Sequence, residues 1–175
     1  MKKLFLVLVA IIPIYAFSQS EINFEDKLYE VYEPGSSNRT LMNINGDKLL
    51  TYPKGHCKIG GNYAIVNLFG ESFLYDTNGE IFSYDEIIFL KNNRYVVCSD
   101  DHYGIVDKSG NIIIPIIYDY IYPDLIDDEN IVVVKQNNKE GLLNIDTNEV
   151  VIPIDYDNIG DFRWYIKRGI IVFGY

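Results

Sequence analysis

Apolar and polar residues alternate along this chain in short blocks divided by turn-forming residues. Leu41 to Ile44 and Lys48 to Tyr52 flank Asn45-Gly46, and an Asn-Gly pair between apolar runs signals a hairpin because both residues accept positive φ. Tyr63 to Leu68 and Ser72 to Tyr75 flank Phe69-Gly70-Glu71. Tyr95 to Cys98 and Tyr103 to Val106 flank Ser99-Asp100-Asp101-His102, and Ile131 to Lys135 and Leu142 to Ile145 flank Gln136-Asn137-Asn138-Lys139. A third strand follows each later hairpin, Ile112 to Ile114 and Val150 to Ile152, and is expected to stop at Pro115 and Pro153. Proline lacks the ladder donor and belongs at a strand end, an edge or a bulge. Three apolar residues in a row, without alternation, predict strands covered on both faces.

The turn before that third strand is regular. Asp107-Lys108-Ser109-Gly110 and Asp76-Thr77-Asn78-Gly79 place a carboxylate first, where it accepts backbone N–H bonds, and a glycine fourth, where the left-handed conformation is needed. Asp146-Thr147-Asn148 is read the same way, with Asn in the glycine position. Helix signals are nearly absent after Arg39. Residues 20–37 show no clean period and fit a short helix or an edge strand, and Pro34-Gly35-Ser36-Ser37-Asn38 has the composition of a turn or linker.

These blocks repeat. Gly104 aligns with Gly141, Pro115 with Pro153, and Tyr118-Asp119-x-Ile121 with Tyr156-Asp157-x-Ile159. Tyr84-Asp85-x-Ile87 closes an earlier unit that lacks the apolar-Pro step, and Asn43-Ile44-Asn45-Gly46 marks a fainter first one. An interval of about 35 residues between Tyr-Asp pairs is that of one supersecondary unit stacked on its neighbours. The order apolar-Gly-(apolar)₂-Asp/Asn, turn, apolar run, Pro, Tyr-Asp resembles the WG-repeat family, also called KWG repeats. The resemblance covers residues from about Asn93 to Ile159 and extends loosely to Gly61 to Ile87. The Trp-Gly pair of the family stands here as Tyr103-Gly104 and Glu140-Gly141. The resemblance implies a β-rich, mostly extracytoplasmic repeat domain without catalytic residues to carry over.

Met1 to Ser18 has the form of a signal peptide: Lys2 and Lys3, an apolar core from Leu4 to Tyr15, and small residues at Ala16 and Ser18 before a cleavage point at Gln19. The core is shorter than the roughly 20 apolar residues of a spanning helix, so no transmembrane segment is expected after cleavage. The organisation expected is a signal peptide (1–18), a leader and linker (19–40), a β-repeat array (41–161) and a capping hairpin (162–175). That last hairpin is aromatic, and Trp164 and Tyr165 are its candidate binding residues. The formal charge of −10 disfavours nucleic acid, which selects clustered Lys and Arg. Export to a periplasmic or extracellular compartment would permit a disulfide between Cys57 and Cys98, while Cys98, at the end of Val96-Val97-Cys98, equally fits a buried strand residue.

Candidate chemistry is sparse. His56, Cys57, Cys98 and His102 could in principle form a zinc site, but no motif joins them. The acidic groups at Asp100-Asp101 and Asp124, Asp127, Asp128, Glu129 lack calcium-loop spacing and read as solvated turns. With fifteen tyrosines, aromatic binding is conceivable, yet tyrosine is also a sheet residue. The expectation is an all-β tandem array of short antiparallel hairpins, open, with a propeller as second choice. Gly104, Asp107, Gly110, Pro115, Tyr118, Asp119, Gly141, Pro153, Tyr156 and Asp157 are its structural positions. No cofactor or metal is expected. The function expected is a non-catalytic exported module that binds an envelope or extracellular protein, with polysaccharide as the alternative ligand.

Overall fold

The computed structural model describes residues 27–32, 34–123 and 130–159, and among them there are strands and no helix. The strands form four antiparallel sheets, each a meander in which every strand pairs with the next. The first holds β1 (Leu28–Val31), β2 (Asn38–Asn43) and β3 (Lys48–Pro53). The second holds β4 (Cys57–Ile59), β5 (Ala64–Leu68), β6 (Glu71–Asp76) and β7 (Gly79–Tyr84). The third holds β8 (Glu86–Leu90), β9 (Arg94–Ser99), β10 (His102–Asp107) and β11 (Ile112–Tyr118). The fourth holds β12 (Tyr120–Ile121), β13 (Ile131–Gln136), β14 (Lys139–Asn144) and β15 (Glu149–Tyr156). Among the described residues the fold is an all-β array of hairpin sheets with no closed barrel, and a four-stranded meander is also the form of a propeller blade.

The sheets stack in sequence order, and the period of two along each strand decides which neighbour a residue meets. In β5, Ala64 and Val66 pack with Leu28, Leu41 and Tyr52 of the first sheet, while Ile65 between them packs with Ile87, Tyr95, Val97 and Val106 of the third. In β9, Tyr95 and Val97 face back to the second sheet, and Val96 faces forward to Val132, Val134 and Leu143 of the fourth. Each apolar triplet of the sequence is thus a strand with cores on both sides. Burying a large aliphatic side chain contributes about 1.5–3 kcal/mol, so the interior sheets gain this stabilisation on both faces.

Several boundaries differ from the sequence reading. Residues 28–31 form an edge strand of the first sheet, one of the two options left open for that stretch. Strands β4, β8 and β12 were not anticipated as the opening strands of their sheets. The Tyr-Asp-x-Ile tail straddles a boundary: Tyr84 and Tyr118 end one sheet, and Ile87 and Ile121 lie in the first strand of the next. The third strand does not stop at Pro115 or Pro153 but continues to Tyr118 and Tyr156 through a bulge.

That bulge explains the repeat glycine. Tyr103 pairs with Tyr118 and Ile105 with Ile114, so Gly104 alone faces Pro115, Ile116 and Ile117. In the next unit Gly141 alone faces Pro153, Ile154 and Asp155. A Cβ on Gly104 would lie 2.7 Å from the Ile114 carbonyl oxygen and 2.7 Å from the Ile116 side chain, and one on Gly141 would lie 2.6 Å from that of Ile154. The isoleucine folds over the bare glycine and takes the place of its missing side chain. Ile116 joins the core shared with the second sheet, and Ile154 the core shared with the third. The first two units have no such bulge. There Thr40 pairs one to one with Thr51 and Phe73 with Ser83, and Phe73 fills its own core.

Gly104→Ala is expected to cost about 1–3 kcal/mol, the range for overpacking a filled site. Gly46→Ala has nothing within 4 Å of the new Cβ and strains only the backbone at φ 85°, a cost of about 1–2 kcal/mol. Crystal structures of the two variants check this: β11 moves in the first, and only the turn moves in the second.

Candidate functional site

The repeat positions hold turns and joints. Asp107 Oδ1 accepts the N–H groups of Ser109 and Asn111 at 2.8 and 2.9 Å, and Oδ2 accepts the Asn111 side-chain amide. The Asn111 side chain, ahead of the backbone donors, holds the Asp107 carboxyl below its ordinary range. Asp76 does the same for Asn78 and Gly79. Gly110 and Asn148 take the left-handed conformation at φ 83° and 55°. In the last unit, however, the acceptor is Asn144, which bonds the N–H groups of Asp146 and Thr147, and not Asp146 as the sequence suggested. Asp146 instead pairs with Arg94 of the third sheet and with Asn130. Arg94 also donates to the Asn130 side chain, so one guanidinium ties the third and fourth sheets together.

In the Tyr-Asp tails, Tyr118, Ile121 and Ile159 are buried and Tyr156 is partly so. Asp85 and Asp119 reach into the following hairpin, and Asp157 reaches back to the preceding one. Asp85 Oδ2 accepts the Asp100 N–H at 2.8 Å, Asp119 approaches the Asn138 N–H at 3.5 Å, and Asp157 pairs with Lys139.

Tyrosine hydroxyls meet carboxylates of their own sheet at several points. Tyr103 donates to Glu86 at 3.1 Å, and Tyr122 donates to the buried Glu140, whose second oxygen accepts the Ile159 N–H. Tyr120 lies edge-on to both, with ring centroids 5.0 Å from each. Burial, then the charge of Glu86, pushes the Tyr103 phenol well above its ordinary value. The hydrogen bond to Glu140, then burial, pushes Tyr122 up to about 12.

The four Cys and His residues do not form one centre. Cys57 packs in the core between the first two sheets, whereas Cys98 is buried in the third and both thiols are free. Burial raises the pKa of each thiol. His56 Nδ1 lies 2.8 Å from the Asn67 carbonyl oxygen in β5 and His102 Nδ1 2.8 Å from that of Asp100 in its own turn, so each ring nitrogen donates to a backbone carbonyl. Among the described residues no three His, Cys, Asp or Glu side chains converge on a cation site. Trp164 and Tyr165, and the acidic run at 124–129, lie outside the described residues.

A groove of about 670 Å³ opens where the second and third sheets diverge. Its floor includes Ile65 and Ile87, and Tyr63 stacks on Phe89 at 4.8 Å along it. The exposed Lys58, Glu71, Asp85 and Glu86 line it, and so does Phe69. Phe69 occupies the first position of the two-residue turn between β5 and β6, at φ 56°, with its side chain fully exposed. The matching turns of the next two sheets carry Asp100-Asp101 and Asn137-Asn138, also at positive φ. Asp and Asn tolerate that conformation and Phe does not favour it. Neither burial nor backbone preference accounts for the ring. The sequence placed Phe69 in a turn, but its oddity appears only against the equivalent turns.

A stack of meander sheets joined by buried tyrosines defines a tandem β-sheet repeat protein. Residues 103–139 and 141–163 match the family model described as WG containing repeat, so these two segments are WG-type repeats. The two matches begin at the units that have the glycine and its bulge. No curated protein matches the sequence. Among solved structures, the chain is similar to Hsv2 of Kluyveromyces marxianus at 7% identity and a TM-score of 0.44, covering 71% of this chain and 45% of that one. A protein of unknown function from Bacteroides caccae is 12% identical with a TM-score of 0.36, over 71% of this chain and 56% of that one. The WD40 β-propeller domain of Doa1 is 11% identical with a TM-score of 0.34, over 66% and 46%. The chain thus spans about half the length of these structures.

Asp107 gives a pH signature. A carboxyl whose folded pKa is depressed contributes stability above its unfolded value, and that contribution disappears as the pH falls through the folded value. Asp107→Ala is therefore expected to melt below wild type at pH 7, with the gap closing at pH below the ordinary aspartate range. Thermal melts of both proteins across that range check it.

Proposed function

We propose that this chain is a non-catalytic, exported repeat module that binds another protein. Phe69 carries the reading. A fully exposed phenylalanine in a left-handed turn costs stability at a position where the sister units use Asp and Asn. Aromatic rings, phenylalanine among them, are enriched in protein interfaces. Support also comes from how the other aromatics are placed. Outside the groove, the half-exposed rings are spread over several sheets, as with Tyr29 and Tyr32 on the first and Tyr122 beside the fourth. Tyr63, Tyr103 and Tyr120 pack against other rings, and the Tyr52, Tyr75, Tyr103 and Tyr122 hydroxyls are bonded to glutamates. A glycan platform calls instead for clustered, flat and open rings. The N-terminal signal pattern supports export.

Phe69→Asn separates function from stability. It is expected to raise the melting temperature by about 2–4 °C, the effect of relieving about 1 kcal/mol of turn strain. In a pull-down from envelope and culture medium with the chain from Gln19 onward as bait, the same variant is expected to lose a protein that wild type retains. Equal retention by both, or retention on insoluble wall polysaccharide alone, sinks the reading in favour of another surface or the glycan ligand.

A further inference from the structure

The groove shows what form such a partner takes, and this inference rests on the protein-binding reading above. Side chains of a strand alternate between faces, so a groove lying on a strand's face is lined by every second residue. Here Asp85, Glu86, Ile87, Ile88 and Phe89 all line the groove in succession, and so do Lys58, Ile59 and Gly60. Consecutive lining means that the backbone edge, not only a face, borders the space. Among the described residues, strand β8 is an edge strand, paired only with β9, and β4 is likewise paired only with β5. The outer N–H and C=O groups of β8 therefore face the groove, the template on which an added strand can form.

The chemistry of the walls selects the added strand. Ile65, Ile87, Tyr63 and Phe89 are its apolar lining; among its charged residues, Glu71, Asp85 and Glu86 outnumber Lys58. The Asp85 and Glu86 carboxylates accept bonds from the Asp100 N–H and the Tyr103 hydroxyl, which fixes their positions while leaving their charge unneutralised by any cation in those bonds. A strand laid along β8 would direct one row of side chains to the apolar lining and the other to these acidic groups. We propose that the groove binds an extended peptide segment of a partner protein by strand addition to β8, with basic residues alternating with apolar ones. Phe69 serves as a hydrophobic clamp.

The test is a titration of the isotopically labelled chain, from Gln19 onward, with an eight-residue Val-Lys repeat peptide, followed by amide NMR shifts. Controls are the Val-Glu peptide and a Val-Lys peptide N-methylated at alternate residues, which cannot complete the ladder. The Val-Lys peptide is expected to shift amides of Glu86 to Leu90, with affinity at least tenfold above either control. Glu86→Lys should remove most of that preference, and Phe69→Asn should weaken the peptide at least tenfold, both in proteins that melt no lower than a few degrees below wild type. Absence of shifts along β8 at millimolar peptide, or equal binding of the N-methylated or Val-Glu peptide, overturns strand addition. If the native partner is still captured by Glu86→Lys, the groove is wrong and the protein-binding reading stands. Where wild type captures no protein at all yet binds the peptide as described, the proposed function falls and the site remains.

Discussion

The architecture depends on covering both faces of each interior sheet. An antiparallel sheet can leave one face to solvent, and such sheets show clean alternation of apolar and polar residues. The second and third sheets here do not, because Ala64-Ile65-Val66 and Tyr95-Val96-Val97 send successive side chains into different cores. Neither sheet is a stable object alone. Its central strands would expose an apolar row on whichever face lost its neighbour. The ring contacts of Tyr63 with Phe89 and Tyr95 and of Tyr120 with Tyr103, and the Arg94 bridge to the fourth sheet, fix how one sheet sits on the next, and the Asn43 amide plays a similar part by donating to the Thr77 carbonyl across the first boundary. Stability in such a stack resides in nearest-neighbour interfaces more than in single units.

The same dependence locates the groove. Sheets that matched edge to edge would leave no gap. Strand β8 packs against β6, and the outer strand β4 and its neighbour β5 contribute Lys58 and Ile65 to the space beside the open edge. The space follows from the offset of two stacked meanders. What makes it chemically particular is the hairpin tip that carries Phe69 where its sisters carry Asp and Asn.

Much of this was legible from residues. Hairpin positions followed from Asn-Gly, Asp-Asp and Asn-Asn pairs, since positive φ has few tolerant residue types, and two-sided burial followed from unbroken apolar triplets. What escaped was non-local or short. Strand β12 has two residues and β4 three, too few for any period to show, and β8 was hidden within a tail motif whose tyrosine and isoleucine belong to different sheets. Asp146 has the residue type of a turn acceptor, while Asn144, two residues earlier and aligned with Asp107, does that work without a charge. The groove could not be read at all, because it is made by β4, β5 and β8 approaching across a sheet boundary. Of its features only Phe69 left a trace, as the one apolar residue among the aligned tips.

The glycine bulge also restricts how such a chain can change over generations. A unit of the first kind has a side chain at the glycine position and a strand without the extra residues; a unit of the second kind has neither the side chain nor the short strand. Passing from one to the other by a single substitution gives either a clash, when a side chain meets the folded-over isoleucine, or a hole, when glycine appears without it. Both intermediates are penalised. The two forms are therefore separated by a fitness valley that a point mutation does not bridge, whereas duplication of a whole unit steps across it. An array containing both kinds preserves a record of which sheets were copied from which.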